Sequence, residues 1–116
     1  MSECLFCNLA SNEEDFIYEN QDFFSLPDKF PVTKGHTLVI AKQHCKDFFD
    51  FPKEKAGPMV EAVQETKSIL EEKYSPDAFN VGANNGKDAG QTIFHFHLHL
   101  IPRYKGDNPW KNTQMP

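Results

Sequence analysis

Apolar and polar side chains alternate most regularly between residues 95 and 101, where the chain reads HFHLHLI. Because successive side chains of a β-strand point to opposite faces, this alternation predicts a strand. One face would carry its three histidines, with neighbouring side chains roughly 6.6–6.8 Å apart, and the other face would meet the core. The pattern places His95, His97 and His99 on an open surface and Phe96, Leu98 and Leu100 in the core.

Helical and strand-like periods elsewhere predict the remaining elements. The longest helix should run from about Glu54 to Tyr74, with a core-facing stripe of Met59, Val63, Thr66 and Leu70. We expect a shorter helical stretch from Gln43 towards Pro52. The other predicted elements are a short helix at 4–10, a hairpin at 16–19 and 22–26, and strands at 35–41 and 78–83. This order favours an α+β fold, in which an antiparallel sheet of about five strands carries one long helix across one face.

Length and charge limit the kinds of protein that this chain can be. We expect one domain spanning 1–116, large enough to bury roughly two-thirds of its unfolded surface. Apolar runs reach only strand length, so no membrane span is expected, and the first residues do not resemble a signal peptide. These features favour a cytoplasmic protein. The net charge of −5 argues against a sequence-independent grip on nucleic acid but is compatible with a small nucleotide as ligand.

Three histidines on one strand face suit several kinds of chemistry. Near neutral pH an imidazole can act as a nucleophile, an acid, a base or a metal ligand. One interpretation is a polar strand face without chemistry. Another is a catalytic zinc site, since His-x-His on a strand with a third ligand can hold zinc with an open position. The strand pattern alone leaves these interpretations open.

Two further segments carry polar groups suited to ligands. Cys4 and Cys7 have the spacing of a metal or redox pair, and their place at the very N-terminus favours zinc over thioredoxin-like chemistry. Cys45 makes the number of cysteines odd, so we expect no disulfide framework and interpret Cys45 as a packing residue. The loop at 84–91 contains Gly86 and Gly90, and its amides suit phosphate oxygens, although a tight hairpin loop would use the same residues.

From Gly90 to Ile101 the chain reads GQTIFHFHLHLI, which resembles the signature of the histidine triad (HIT) family. The resemblance covers nearly the whole chain, including CLFC at 4–7, Asp28, GHTLVI at 35–40, His44 and Asn84. It implies a nucleotidyl hydrolase or transferase that acts at the α-phosphorus of a nucleoside phosphoramidate or a dinucleoside polyphosphate. It also implies a homodimer in which the two sheets join.

The resemblance implies roles for individual residues. His97 matches the nucleophile that forms a nucleotidyl-histidine intermediate, His99 matches the histidine at the phosphoryl and leaving groups, and His36 matches a histidine that supports the active-site strand. Asp28 would bind the ribose hydroxyls, and Leu26 beside it would contact a purine base. The complete set expected to bind the nucleotide is Leu26, Asp28, Asn84, Gly90, Gln91, Thr92, His97 and His99.

The resemblance also concerns metals. Some members with an N-terminal Cys-x-x-Cys bind zinc through residues that match Cys4, Cys7, His44 and His95, so a structural Zn²⁺ is expected. No catalytic metal is expected, because the family uses the middle histidine as its nucleophile. In some relatives the C-terminal tail, which here carries Trp110, reaches the partner's site.

Two alternative functions remain open. One is a nucleotide-binding regulatory module with negligible turnover, and the other is a zinc-bearing structural protein in which His97 has no chemical role. The intact triad with His97 favours the enzyme over the regulatory module, and a metal titration that follows activity would separate the enzyme from the structural protein.

Overall fold

Five antiparallel strands form one sheet in the computed structural model, which describes residues 4–10 and 15–107. The strands are β1 (Tyr18–Glu19), β2 (Phe23–Pro27), β3 (Thr37–Ala41), β4 (Ala78–Gly82) and β5 (His97–Arg103). Their order across the sheet is β1-β2-β3-β5-β4, so the last strand of the chain lies between β3 and β4. The predicted antiparallel sheet is confirmed.

Within the part of the chain that the structure describes, two α-helices accompany the sheet, α1 (Leu5–Leu9) and α2 (Ala56–Tyr74). Helix α2 covers one sheet face, and its buried residues include Thr66. The hydroxyl oxygen of Thr66 lies 3.0 Å from that of Ser25 in β2, so both buried hydroxyl groups are paired. The long helix predicted from about Glu54 is confirmed, although residues 53–55 form a 3-10 turn before it.

Side-chain alternation along β5 separates two apolar clusters on opposite faces of the sheet. Phe96, Leu98 and Leu100 are buried on the α2 side, as the sequence predicts. On the other face Phe6 of α1 is buried in a second cluster, which also contains Phe24, Leu26, Leu38 and Ile40. The histidines of β5 therefore face the side of the sheet on which α1 lies.

The histidine strand begins two residues later than the sequence predicts. β5 pairs with β3 from His97 to Leu100, and His95 precedes the strand. The backbone of Phe96 explains the difference, because its N–H donates to the carbonyl of Cys45 at 2.8 Å instead of to a residue of β3. His95 is thus positioned by a loop contact, although its side chain still alternates with that of Phe96.

The helical stretch predicted from Gln43 towards Pro52 is wrong. Only a 3-10 turn, Phe48–Asp50, forms there. Asp47 accepts hydrogen bonds from the backbone N–H groups of Phe49 and Asp50, and this local pairing competes with a continuous helix.

The other predicted elements are confirmed with shifted bounds. Trp110 lies outside the described residues. Among the residues that are described, no helix is long and apolar enough to cross a membrane.

Gly35, just before β3, allows a test of the close packing between this part of the chain and Tyr74 at the end of α2. Its φ is +92°, and a Cβ there would lie 2.8 Å from Cδ2 of Tyr74. We expect Gly35→Ala to lower the free energy of unfolding by about 2 kcal/mol, measured by urea denaturation. Gly57→Ala is the matched control, because a Cβ at Gly57 meets nothing within 4 Å and helix propensity should raise stability by about 0.5–1 kcal/mol. Unchanged stability of Gly35→Ala would contradict this packing.

Candidate active site

A cavity of about 740 Å³ opens on the sheet face opposite α2. Helix α1, the loop after β2 and the loop before β5 surround it. Its lining includes every residue that the sequence assigned to catalysis or nucleotide binding, namely Leu26, Asp28, His36, Asn84, Gly90, Gln91, Thr92, His97 and His99. The four expected metal ligands lie together in a separate cluster.

His97 presents an unprotonated ring nitrogen. Its Nδ1 lies 2.7 Å from the carbonyl oxygen of His95, and since a carbonyl can only accept, Nδ1 carries the proton. The other nitrogen, Nε2, therefore keeps its lone pair. Burial lowers the pKa of His97, although the hydrogen bond to the His95 carbonyl and the charge of Asp28 partly oppose this effect. The ring is therefore neutral at pH 7.

A chain of hydrogen bonds gives His99 the opposite tautomer. The backbone N–H of Val32 donates to Nδ1 of His36 at 3.1 Å, so the proton of His36 resides on Nε2. This Nε2–H lies 3.0 Å from Nδ1 of His99, which therefore accepts, and the proton of His99 sits on Nε2. Burial, helped by the neighbouring rings of His97 and His36, lowers the pKa of His99 to about 4. His97 and His99 thus offer a lone pair and an N–H, respectively.

Asp28, in the loop after β2, lies next to the histidine pair formed by His36 and His99. Its Oδ1 accepts from the backbone N–H of Phe30 at 2.9 Å, and its Oδ2 lies 3.3 Å from Nε2 of His36. Burial lowers the pKa of His36, although the Asp28 carboxylate opposes that effect. Asp28, His36 and His99 are close enough to suggest a metal site, but the proton on His36 Nε2 makes this nitrogen a donor and not a ligand.

The loop before β5 is held by Gln91. The buried side chain accepts from the backbone N–H of Gly86 at 2.8 Å and donates to the carbonyls of Lys46 and Ile93 at 2.8 and 3.0 Å. These bonds fix the loop from within. The side-chain amide of Asn84 has no hydrogen-bond partner among the described residues and is available to a ligand.

Cys4, Cys7, His44 and His95 bring four ligand atoms within 4.8 Å of one another. The Nε2–H of His95 donates to the carbonyl of Ala41 at 2.6 Å, so its Nδ1 lone pair faces the other three residues. Nδ1 of His44 lies 3.1 Å from Nδ1 of His95, and the sulfur–nitrogen distances are 3.1–3.5 Å. Burial and the adjacent Cys4 raise the pKa of Cys7 to about 11.

These distances fit a tetrahedral zinc site. Ligand bonds of about 2.0–2.3 Å place two nitrogens about 3.3 Å apart, and a nitrogen and a sulfur about 3.6 Å apart. The cluster approaches both values, and its two thiols and two imidazoles are ligands that zinc prefers. Cys45 lies outside the cluster, buried in the core on the α2 side.

Sequence reasoning missed one wall of the cavity. Leu5, Phe6 and Leu9 of α1 line it, together with Lys29 and Phe30 from the loop after β2. The only sequence signal for the first group is its apolar helical spacing, since Leu5 and Leu9 are one turn apart. Nothing in the sequence pattern distinguishes Phe30, whose side chain is 84% exposed at the cavity.

The tautomers and their titration can be measured together. In ¹⁵N-labelled protein at pH 7, imidazole NMR spectra should show His97 protonated on Nδ1 and His99 on Nε2. Because both pKa values are lowered, both rings should titrate below the ordinary value of about 6.5, and His99 should stay neutral as the pH falls from 7 to about 5. Titration of His99 near pH 6.5, or a proton on its Nδ1, would contradict the hydrogen-bond chain.

Two solved structures resemble this chain in both sequence and fold, and a family model agrees with them. The HIT domain model matches residues 10–106. A Zn-bound histidine triad family protein from Mycobacterium smegmatis is 39% identical, with a TM-score of 0.82 and coverage of 91% of this chain and 78% of that protein. A hypothetical histidine triad nucleotide-binding protein from Sulfolobus tokodaii is 32% identical, with a TM-score of 0.82 and coverage of 97% and 77%.

A plant relative adds a third point of similarity. The adenylylsulfatase HINT3 of Arabidopsis thaliana is 31% identical over 116 residues, which are 98% of this chain and 59% of that protein. Since the family model spans most of the chain, and the sheet, α2 and the three histidines agree with it, the chain belongs to the histidine triad (HIT) family.

Proposed function

We propose that this protein is a nucleotidyl hydrolase or transferase that forms a covalent intermediate on His97. The observation that carries the proposal is the pair of opposite tautomers in one cavity. His97 offers a lone pair on Nε2, and His99 offers a proton on Nε2. The family membership supports nucleotide chemistry, and one relative is named as an adenylylsulfatase.

In the first step, Nε2 of His97 attacks the α-phosphorus of the substrate. The new N–P bond forms as the bond from phosphorus to the leaving nitrogen or oxygen breaks, and its electron pair departs with the leaving group. The attack makes the His97 ring positive, which strengthens the hydrogen bond from Nδ1–H to the His95 carbonyl. The Nε2–H of His99 is positioned to hydrogen-bond the phosphoryl or leaving-group oxygen.

Water completes the reaction in a second step. It attacks the same phosphorus and loses a proton to the solvent, the N–P bond breaks with its electron pair returning to Nε2 of His97, and the nucleoside monophosphate leaves as His97 regains its neutral form. Neutral rings suit this cycle, because a protonated His97 would have no lone pair to attack with.

The remaining cavity residues would bind the nucleotide. The carboxylate of Asp28 suits the ribose hydroxyls, and Leu26 with the apolar wall of α1 suits a purine base. Asn84, Thr92 and the backbone of Gly90 would contact the phosphate, since the Asn84 amide has no partner of its own among the described residues. Gln91 would act by holding this loop in shape. The cavity volume of about 740 Å³ suits a ligand of this size.

The proposal includes a structural zinc ion on Cys4, Cys7, His44 and His95. The distances among the four ligand atoms support it, as does the Zn-bound relative. When bound, zinc would crosslink the start of the chain to the loop before β5 and would supply no chemistry to the substrate. The proposal needs no catalytic metal, because the polar groups of His36, His97 and His99 are already committed to a hydrogen-bond chain and a nucleophile.

The molecular setting of the proposed enzyme is a cytoplasmic homodimer. β4 is an edge strand with Val81 exposed, and α2 exposes Val60 and Ile69, which leaves apolar surface for a second copy. The three cysteines are free thiols, as is usual in a reducing compartment.

Replacement of the nucleophile tests the proposed function. We expect His97→Ala to lose AMP release from adenosine 5′-phosphoramidate and from diadenosine polyphosphates by at least about a thousandfold. The variant should still bind AMP, because its cavity otherwise remains. In wild type, mass spectrometry after rapid quenching should find the nucleotidyl group on the peptide that contains His97.

The outcomes separate the enzyme from its alternatives. Wild-type protein that binds AMP but releases none from either substrate class would favour a nucleotide-binding regulatory module. Full activity of His97→Ala would reject the covalent mechanism. The ratio of the rates on the two substrate classes would rank phosphoramidates against dinucleoside polyphosphates.

Metal analysis tests the zinc site. Protein purified with zinc available should contain about one ion per chain, and Cys4→Ser or Cys7→Ser should lose it, because a four-ligand site needs all its thiolates. Cys45→Ala is the matched control and should retain zinc, since Cys45 is buried in the α2-side core. Equal zinc content in all variants would place the metal elsewhere.

A further inference from the structure

The cluster of possible metal ligands, namely Cys4, Cys7, His44 and His95, connects helix α1 to the rest of the protein. The helix has only five residues, and an isolated helix of this length is not stable in water. Cys4 is its N-cap, and the Sγ of Cys4 accepts from the backbone N–H of Cys7 at 3.2 Å. Both thiols contact the rings of His44 and His95, which belong to distant segments. The position of α1 thus depends on the cluster together with the burial of Phe6 in the second apolar core.

The same helix forms a wall of the cavity. Leu5, Phe6 and Leu9 line it, and the side chain of Leu5 is 48% exposed. A nucleoside bound against this wall would remove apolar surface from water, which is favourable. Any displacement of α1 would therefore change the affinity for the nucleotide.

Phe6 connects the cluster to the proposed nucleophile. Its side chain is 2% exposed, and its ring centroid lies 5.8 Å from that of His95 and 4.9 Å from that of His97. Both contacts are edge-to-face, a geometry that favours particular orientations of the two rings. The His95 carbonyl holds the Nδ1–H of the same His97 ring. His97 is therefore contacted at two points, by the backbone carbonyl of the cluster residue His95 and by the ring of Phe6.

We propose that Phe6 is a positioning residue through which metal loading of the cluster sets both the nucleotide affinity and the orientation of His97. This inference rests on the proposed function of the cavity. Without a cation, only hydrogen bonds among the two thiols and the Nδ1 atoms of His44 and His95, at 3.1–3.5 Å, would join the four residues, and these are weaker than four zinc–ligand bonds. Release of the cluster frees α1, and the apolar wall and the Phe6 ring then move away from His97 together.

The core on the α2 side and the pairing of the central strands do not depend on this connection. Among the described residues, the core on the α2 side contains none from 4–10. The pairing of β3 with β2 and β5 also uses no residue of α1. Metal removal should therefore alter the cavity and leave the sheet and α2 folded.

The first experiment measures the coupling in the full-length protein. Calorimetric titration with AMP should show about tenfold weaker binding after zinc is removed with EDTA and a phosphine reductant. Because coupling between two sites is reciprocal, saturating AMP should tighten the binding of Zn²⁺ by the same factor, measured against a chromophoric chelator. Hydrogen exchange should show lost protection in α1 and its contacts, with α2 and the central strands unchanged.

Each result of this experiment is decisive. Equal AMP affinity with and without zinc would overturn the coupling, and so would unfolding of the whole protein on zinc removal. Failure of the zinc-loaded protein to bind AMP would instead reject the proposed function itself, and this inference with it.

The second experiment isolates Phe6. Phe6→Leu keeps an apolar side chain in the wall but lacks an aromatic edge, so AMP affinity should stay close to that of the wild type. Nucleotidyl transfer to His97 in a single turnover should slow about tenfold, because the ring is less well oriented. The single-turnover rate constant does not depend on the fraction of active protein, so partial misfolding of the variant cannot mimic this slower transfer. Phe49→Ala, 79% exposed and outside the cavity lining, is the control and should change neither quantity.

Two results would overturn the positioning role. One is an unchanged single-turnover rate in Phe6→Leu, and the other is a rate loss that disappears at saturating substrate. The latter would show that Phe6 contributes only to binding.

Discussion

The position of β5 inside the sheet, between β3 and β4, is the constraint on which both the fold and the site depend. The strand is hydrogen-bonded to β3 on one side and to β4 on the other, so a shift by one residue would exchange its two faces. Burial of Phe96, Leu98 and Leu100 against the α2-side core opposes that exchange. The same geometry points His97 and His99 towards the cavity. Apolar packing on one face of β5 therefore determines which side chains reach the substrate on the other face.

Backbone groups then decide which nitrogen of each ring is available. The carbonyl of His95 accepts a hydrogen bond from Nδ1–H of His97, and the N–H of Val32 sets the tautomer of His36 and, through it, that of His99. A peptide group does not titrate, so these choices do not vary with pH as long as the loops stay in place. The cavity therefore combines a pre-set acceptor with a pre-set donor.

The parts of the molecule that follow from side-chain period could be predicted from the sequence. The alternation of β5 and the apolar stripe of α2 could be recognised because burial of one face imposes a period of two residues on a strand and of 3.6 residues on a helix. The tautomers were not, since they depend on how the loop around Val32 folds back on His36. Nor was the inward turn of Gln91, or the wall formed by α1, because a five-residue helix leaves little periodic signal. Likewise, the expected helix near Gln43 gave way to a local cap by Asp47.

The lowered pKa of His99, to about 4, and that of His97, below its ordinary value, have a consequence for the approach of ligands. With the rings uncharged, the charged groups that line the cavity within residues 4–10 and 15–107 are one ammonium group, on Lys29, and the carboxylates of Asp15 and Asp28. The chain as a whole carries a net charge of −5. An anionic nucleotide therefore meets no attractive long-range field, and its capture relies on directed dipoles at contact. Association should accordingly be no faster than an unsteered encounter and should become faster as the ionic strength rises, because salt screens the repulsion between two anions.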